Sequence, residues 1–254
     1  GLDPDTSGET VSDQAPAEMP SLREMLKTAF KNKYSTLVIL SNVFYMLNAG
    51  LMGSTLVYYF RYNVGNDNLM GLYSTALMVG MLVCIPLMGL IARKLGNVKS
   101  VLLGAALCFM AGIPRIITGD KSIVVFFICI VLMGFGSGLI ANMMRQCRND
   151  AATYSQLQGV DISGALCSLY SFSQKLGQAV SSIIAAGLLA AVDYTPGETP
   201  DAATLDLFFA ENLLIPMATV VAVVAFLIPV IRMEKKLVKD IAEKENTTHE
   251  SECI

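Results

Sequence analysis

Apolar residues fall into six runs, each near the roughly 20 residues a helix needs to cross bilayer hydrocarbon, and short polar stretches separate them. The pattern predicts membrane helices over residues 36–62, 69–92, 98–118, 122–144, 164–192 and 207–231. Ahead of them, residues 1–20 are polar, acidic and proline-containing, which predicts a disordered linker. Residues 21–33 differ. Ser21 and Glu24 form a capping-box pattern, and Leu22, Met25, Leu26 and Phe30 make one apolar face beside Arg23, Lys27, Lys31 and Lys33. That predicts a short helix lying on the cytoplasmic leaflet. The chain thus divides into a linker with an amphipathic helix (1–34), a six-helix bundle (35–232) and a cytoplasmic tail (233–254).

Charge sets the expected orientation. Of 18 Lys and Arg residues, 14 fall in the alternate polar stretches that include both ends of the bundle. Arg61, Arg115 and Lys121 fall on the other side, and Lys175 lies within a span. By the positive-inside rule both termini are cytoplasmic, in keeping with an even number of crossings, and the acidic segment 193–206 is outside. The expected place is the cell inner (plasma) membrane. The composition agrees: 254 residues, 54% hydrophobic and 15% charged, with a mean hydropathy of +0.55, are too apolar for a soluble domain. The net charge of −3 decides little.

Catalytic and metal chemistry find little support. Cys84, Cys108, Cys129, Cys147 and Cys167 lie in or beside apolar runs without ligand spacing, and Cys253 does not fit a prenylation box. The single histidine, His249, is in the polar tail, and no nucleophile stands with a base, so neither an enzyme nor a cofactor is expected. Nothing suggests a nucleic-acid partner. The first residue is Gly1, which suggests part of a longer chain. Pro86, Pro114, Pro216 and Pro229 should bend their helices. The Gly134, Gly136, Ser137, Gly138 cluster fits close helix packing better than phosphate binding.

The fifth span carries the residue most costly to place. At the centre of a membrane helix a lysine costs roughly 2.5 to 3.5 kcal/mol to insert, and Lys175 sits among apolar flanks. Ser168, Ser171, Lys175, Gln178 and Ser182 share one helical stripe, with Leu169, Phe172, Leu176, Val180 and Ile183 on the other side. Such a stripe faces a water-filled cavity or a protein partner; the alternatives are snorkelling or a structural ion pair. In the first span Ser41, Tyr45, Asn48, Met52, Thr55 and Tyr59 recur at spacings of four and three. They could hydrogen-bond and stack a polyol, or form an interhelical seam. Asn142, Glu211 and Asn212 are further polar groups near membrane depth, with Glu211 expected at the interface.

Two segments carry a family resemblance. Tyr58-Tyr59-Phe60-Arg61-Tyr62-Asn63-Val64-Gly65-Asn66-Asp67 resembles the Y-Y-F-x-Y-x-x-G-[DN] segment of the glycoside-pentoside-hexuronide:cation symporters, the melibiose symporter group of the major facilitator superfamily. Ser171-Phe172-Ser173-Gln174-Lys175-Leu176-Gly177 is similar to their eleventh helix, whose lysine lies at the cation and sugar sites. The turn from Gly89 through Arg93, Lys94 and Gly96 to Lys99 resembles the superfamily's short cytoplasmic loop. The resemblance covers nearly the whole chain and implies an all-α, polytopic membrane protein equivalent to helices seven to twelve of a twelve-helix carrier.

Function follows as an expectation: cation-coupled symport of a sugar or glycoside by alternating access. Lys175 would couple the sites, and Tyr45, Asn48, Asn142, Ser171 and Gln178 would contact solute. The coupling ion, sodium or a proton, would bind mainly in an amino-terminal six-helix half, the implied partner beside the solute and the bilayer. The family's D-x-x-D-Y-G-E run is replaced here from Asn149 to Ser155, and Asp161 and Ser163 stand where it has arginine and glutamate, which indicates a divergent branch. The chain has no tryptophan, so tyrosines would take the stacking role. The alternatives are a carrier of a non-sugar solute and a six-helix membrane protein that regulates or scaffolds without transport.

Overall fold

The computed structural model describes Lys27 and residues 30–118, 122–157, 162–192 and 200–252. The expected linker, most of the surface helix, Lys121, Asp161 and the outer loop around Glu198 lie outside the described residues. Six long helical runs follow in order. Helix α1 is Lys33–Tyr58 and continues into a π turn, Tyr59–Val64. Then come α2 (Leu69–Leu95), α3 (Asn97–Thr118), α4 (Ile123–Leu157) and α5 (Ser163–Ala191). Helix α6 starts at Ala202–Phe209, passes through a second π turn, Ala210–Leu214, and runs on as Ile215–Glu252.

Five of these runs are long and apolar enough to cross a membrane: Lys33–Val64, Leu69–Leu95, Asn97–Thr118, Ile123–Thr153 and Ala202–Glu234. Helix α5 has the length, about 40 Å for its 29 residues at 1.5 Å per residue. Its polar stripe lowers its hydropathy below that of the other five. Large apolar side chains cover the outside of the bundle, with Ile183 71% and Phe172 63% exposed, as a lipid-facing surface requires. The chain is an all-helical, multi-pass membrane protein.

Local chemistry accounts for the ends. Asn32 caps α1 by accepting the Tyr34 amide at 3.0 Å. Asp201 caps α6, accepting the Thr204 amide at 2.9 Å and its hydroxyl at 2.7 Å, and these bonds hold its carboxyl below the usual carboxylate range. Gly96, at φ +85°, joins α2 to α3, a left-handed conformation that favours glycine. Pro86, Pro114 and Pro229 lie inside helices, and Pro216 is the second residue of the helix that continues from the second π turn.

Two helices outrun their expected ends. Helix α4 continues past residue 144 to Leu157, because Met144, Cys147, Ala151 and Ser155 keep burying one face although the intervening residues are polar. Helix α6 begins at Ala202, ahead of the expected residue 207, and its backbone stays helical through the expected tail to Glu252.

Packing follows the small residues. Helix α4 sits between α2 and α3, and α1 between α5 and α6. A Cβ added at Gly80 would meet the backbone of Val131 and Phe135, and one at Gly134 the backbone of Leu77. Gly104 and Gly136 meet each other's backbones in the same way across α3 and α4. The glycine cluster of α4 is therefore a packing device. At one end of the bundle Tyr34, Leu139, Met144, Cys147 and Leu227 form the core; at the other, Tyr59, Phe60, Tyr73, Phe126 and Ile130 do. There the Phe60 ring lies 5.4 Å from Tyr73 and 6.1 Å from Phe126. Tyr58 and Tyr62 stack on Phe208 at 5.5 and 6.0 Å. The tyrosine-rich segment thus staples α1 to α2, α4 and α6.

Valine at Gly134 would force α4 away from α2. Overpacking typically costs about 1–3 kcal/mol, so Gly134→Val is expected to lower the midpoint of thermal unfolding in detergent by several degrees. Gly53, with open space around its Cα, is the control: Gly53→Ala should leave the midpoint unchanged or slightly raised.

Candidate functional site

Helix α5 presents three faces. Tyr170, Ser173, Gly177, Ser181 and Ala185 are buried against the bundle. Gly177 abuts the backbone of Val43 and Leu47, and a Cβ at Gly50 would strike Ser181. Small residues let α1 and α5 approach closely, and the Asn42 amide then reaches Ser173 Oγ at 2.7 Å. A second face, with Phe172, Leu176 and Ile183, is apolar and exposed. The third holds Ser168, Ser171, Lys175, Gln178 and Ser182, all exposed on the surface of this chain. Ser168 and Ser171 turn their hydroxyls onto their own helix, donating to the Gly164 and Cys167 carbonyls at 3.0 and 2.9 Å. Close packing on one side is what turns the lysine-centred stripe outward.

The α1 stripe is placed differently. Asn42, Val43, Leu47 and Gly50 face α5, whereas Ser41, Tyr45, Asn48, Met52 and Thr55 lie on the opposite side of α1 by helical spacing. Tyr45 donates its hydroxyl to the Ser137 carbonyl of α4 at 3.1 Å. Asn48 donates to the Pro216 carbonyl at 2.8 Å and to Thr219 Oγ1 at 2.7 Å in α6. Here the stripe is an interhelical seam. A cavity of about 30 Å³ beside it is lined by Tyr45, Asn48, Met52, Ser137, Met217 and Val220, among others. A water needs roughly 10–15 Å³, so the space suits a water or two and is far too small for a sugar ring. Asn142 is half-buried in α4 and donates to the Gly138 carbonyl of its own helix at 2.8 Å. The structure thus groups Ser171, Lys175 and Gln178, and holds Tyr45 and Asn48 across the width of α1 from them.

Two junctions carry contacts that the sequence pattern did not predict. Around the α2–α3 turn, Arg93, Lys94 and Lys99 are exposed, and the contacts come from acids instead. Glu234 of α6, buried, accepts the Val98 amide at 3.0 Å. Asp150 of α4 accepts from the Asn97 side chain at 2.7 Å. A carboxylate at a helix N-terminus satisfies orphan amides and the positive end of the dipole. The Asn97 amide so near a glycine was the available signal for a cap; its partners, 53 and 136 residues away from their contacts, had none. At the opposite end, Glu211 lies in the π turn of α6. Expected at the interface, it is fully buried within the bundle. Neighbouring Asn212 donates to Thr55 Oγ1 and to the Phe208 carbonyl, each at 3.1 Å.

Membrane-crossing helices packed through glycines, with one outward polar face around a lysine, define a polytopic helical bundle. Residues 5–233 match the MFS/sugar transport protein family, and the chain belongs to it. It is a transporter-family protein and not a member of an enzyme family. Over 189 residues it is 26% identical to the glucuronide carrier protein homolog of Escherichia coli K12, covering 72% of this chain and 41% of that protein. It is 25% identical over 232 residues to the isoprimeverose transporter of Lactiplantibacillus pentosus, covering 88% and 47% of the two chains. A third relative, the uncharacterized symporter YjmB of Bacillus subtilis 168, is 22% identical over 239 residues, 92% of this chain and 52% of that one. The chain spans about half the length of these curated relatives.

The Glu234 cap makes a stability prediction. A hydrogen bond to a charged group contributes about 1.5–3 kcal/mol. Glu234→Ala should therefore destabilise the bundle by a similar amount, read by thermal unfolding in detergent, and faster amide exchange at Val98 should accompany it. Lys94→Ala, at an exposed position of the same turn, is expected to change neither.

Proposed function

We propose that this chain is the carboxy-terminal half of a secondary transporter that moves a sugar or glycoside together with sodium or a proton, by alternating access. The observation that supports it most is the exposed stripe of α5, where Lys175 lies between Ser171 and Gln178. A charge at membrane depth is expensive unless it faces water or a partner, and an amino-terminal six-helix half is the partner the family fold supplies. Between the halves Lys175 acts as a resident cation. An arriving ion alters the charge balance around it and shifts which access state is favoured, by its differential affinity for the two. Ser171 and Gln178, one helical turn to either side, hydrogen-bond solute hydroxyls.

The names of two relatives, a glucuronide carrier homolog and an isoprimeverose transporter, support a sugar-class solute. Tyr45, Asn48 and Asn142 join the solute site only in a state where α1 has moved against α4 and α6 and released the seam. Both termini lie in the cytoplasm of a cell whose inner (plasma) membrane holds the protein, as the distribution of Lys and Arg directs.

Uptake of a glucuronide or of isoprimeverose by the full-length protein tests the reading. Lys175→Ala is expected to abolish ion-dependent uptake at unchanged expression; uptake with intact ion dependence overturns the role of Lys175. In a Cys167→Ser background, which removes an exposed native thiol, Ser171→Cys should react more slowly with a membrane-impermeant thiol reagent when solute is present. An unchanged rate at saturating solute would favour a scaffold without transport.

A further inference from the structure

Glu211 has a placement that the Lys175 stripe does not explain. Its carboxylate is 0% exposed, and neither Oε1 nor Oε2 accepts a hydrogen bond. The donors around it are aimed elsewhere. Thr55, whose hydroxyl approaches the carboxyl without the geometry of a hydrogen bond to it, donates to the Leu51 carbonyl at 3.4 Å and accepts from Asn212. The Asn212 amide is committed to Thr55 and Phe208. The titratable and charged groups of the packed elements are likewise engaged or turned out. Tyr58 and Tyr62 of α1 stack on Phe208, and the Tyr59 ring lies edge-on to Phe60. Arg61 pairs at the surface with Asp67 at 3.1 Å. Arg115 of α3 lays its guanidinium 5.0 Å over the Phe126 ring and turns Nη1 to Met133 Sδ. On α6 itself Asp201 caps the helix and Asp206 is exposed.

An ionised carboxylate taken out of water without donors is among the most costly arrangements a fold can hold, and the group neutralises instead. A metal cation would need several oxygen ligands, and the Thr55 hydroxyl is already engaged with the Leu51 carbonyl and the Asn212 side chain. A proton needs one oxygen and no space. The setting is suited to a response, because Glu211 lies in one π turn, Ala210–Leu214, and the aromatic contacts above tie α6 to the other, Tyr59–Val64. Asn63 also bridges the two helices through the Leu205 carbonyl at 2.9 Å. Such π segments recur at sites of function.

We infer that Glu211 is a proton-binding site of this half, occupied in the packed arrangement, and that losing the proton loosens the outer ends of α1 and α6. The site is separate from Lys175 and does not depend on the transport reading.

Infrared spectra of the full-length protein in lipid nanodiscs at neutral pH, wild type minus Glu211→Gln, test it. The expected loss is a protonated carboxylic C=O band; a loss among carboxylate bands overturns the proposal. Exchanging choline for sodium should leave the difference unchanged, and a band that becomes carboxylate on adding sodium would make this a metal-cation site instead. Glu211→Gln and Glu211→Met, both neutral, should fold, and failure of both to fold overturns the proposal. After correction for intrinsic rates, amide exchange over 59–64 and 205–214 should rise several-fold from mildly acidic to mildly alkaline buffer in wild type and stay flat in both variants. A flat wild-type response overturns the loosening.

Discussion

Close approach of helix backbones at small residues is the constraint on which this bundle depends. Lipid chains are as apolar as leucine, so burying apolar side chains contributes little once a helix is in the membrane, and association rests on dispersion contacts and polar groups that meet across the seam. Gly80 against Val131, Gly104 against Gly136 and Gly177 against Val43 bring three helix pairs near enough for this. Proximity then permits the short interhelical bond from Asn42 to Ser173 at 2.7 Å, and Asn48 to Thr219 at 2.7 Å joins α1 to α6 besides. Those bonds fix the rotation of each helix about its axis. Rotation decides which side chains are buried.

The exposure of Lys175 is a consequence of that rotation. Ser173, Gly177 and Ser181 form the inner face of α5, so a residue two before Gly177 cannot also point inward. The polar stripe and the apolar stripe share the remaining circumference, and both are exposed on the surface of this chain. On an exposed face the cation avoids the desolvation that burial against the bundle would impose.

Both ends of the bundle are held by groups from distant parts of the chain, in opposite styles. Around the α2–α3 turn, carboxylates from α4 and α6 find amide donors, which makes a satisfied polar junction. At the other end aromatic stacking does the joining, and the acid that lies within it, Glu211, accepts no hydrogen bond. A satisfied carboxylate locks its surroundings, whereas an unsatisfied one is sensitive to whatever can neutralise it.

Much of the architecture was legible in the hydrophobic pattern by itself: six helical segments with starts within about five residues, the membrane class, the glycine cluster as a packing surface, and a single polar stripe around Lys175. These follow from local periodicity and from the cost of polar groups in hydrocarbon, and both can be read one segment at a time. Helix ends in polar sequence were not legible, because Cys147, Ala151 and Ser155 extend α4 only by having a neighbour to pack on. The partition of the candidate site was not legible either. Tyr45 and Asn48 share a face with each other in sequence, but whether that face adjoins Lys175 depends on which side of α1 receives α5. The same holds for Glu234, Asp150 and Glu211, whose partners, or lack of them, are set by helix rotation and long-range packing. The segments were determined by the chain's own pattern; which polar groups meet, which face outward and which are buried without a partner were decided only by tertiary structure, because those outcomes depend on pairs of residues that no local spacing relates.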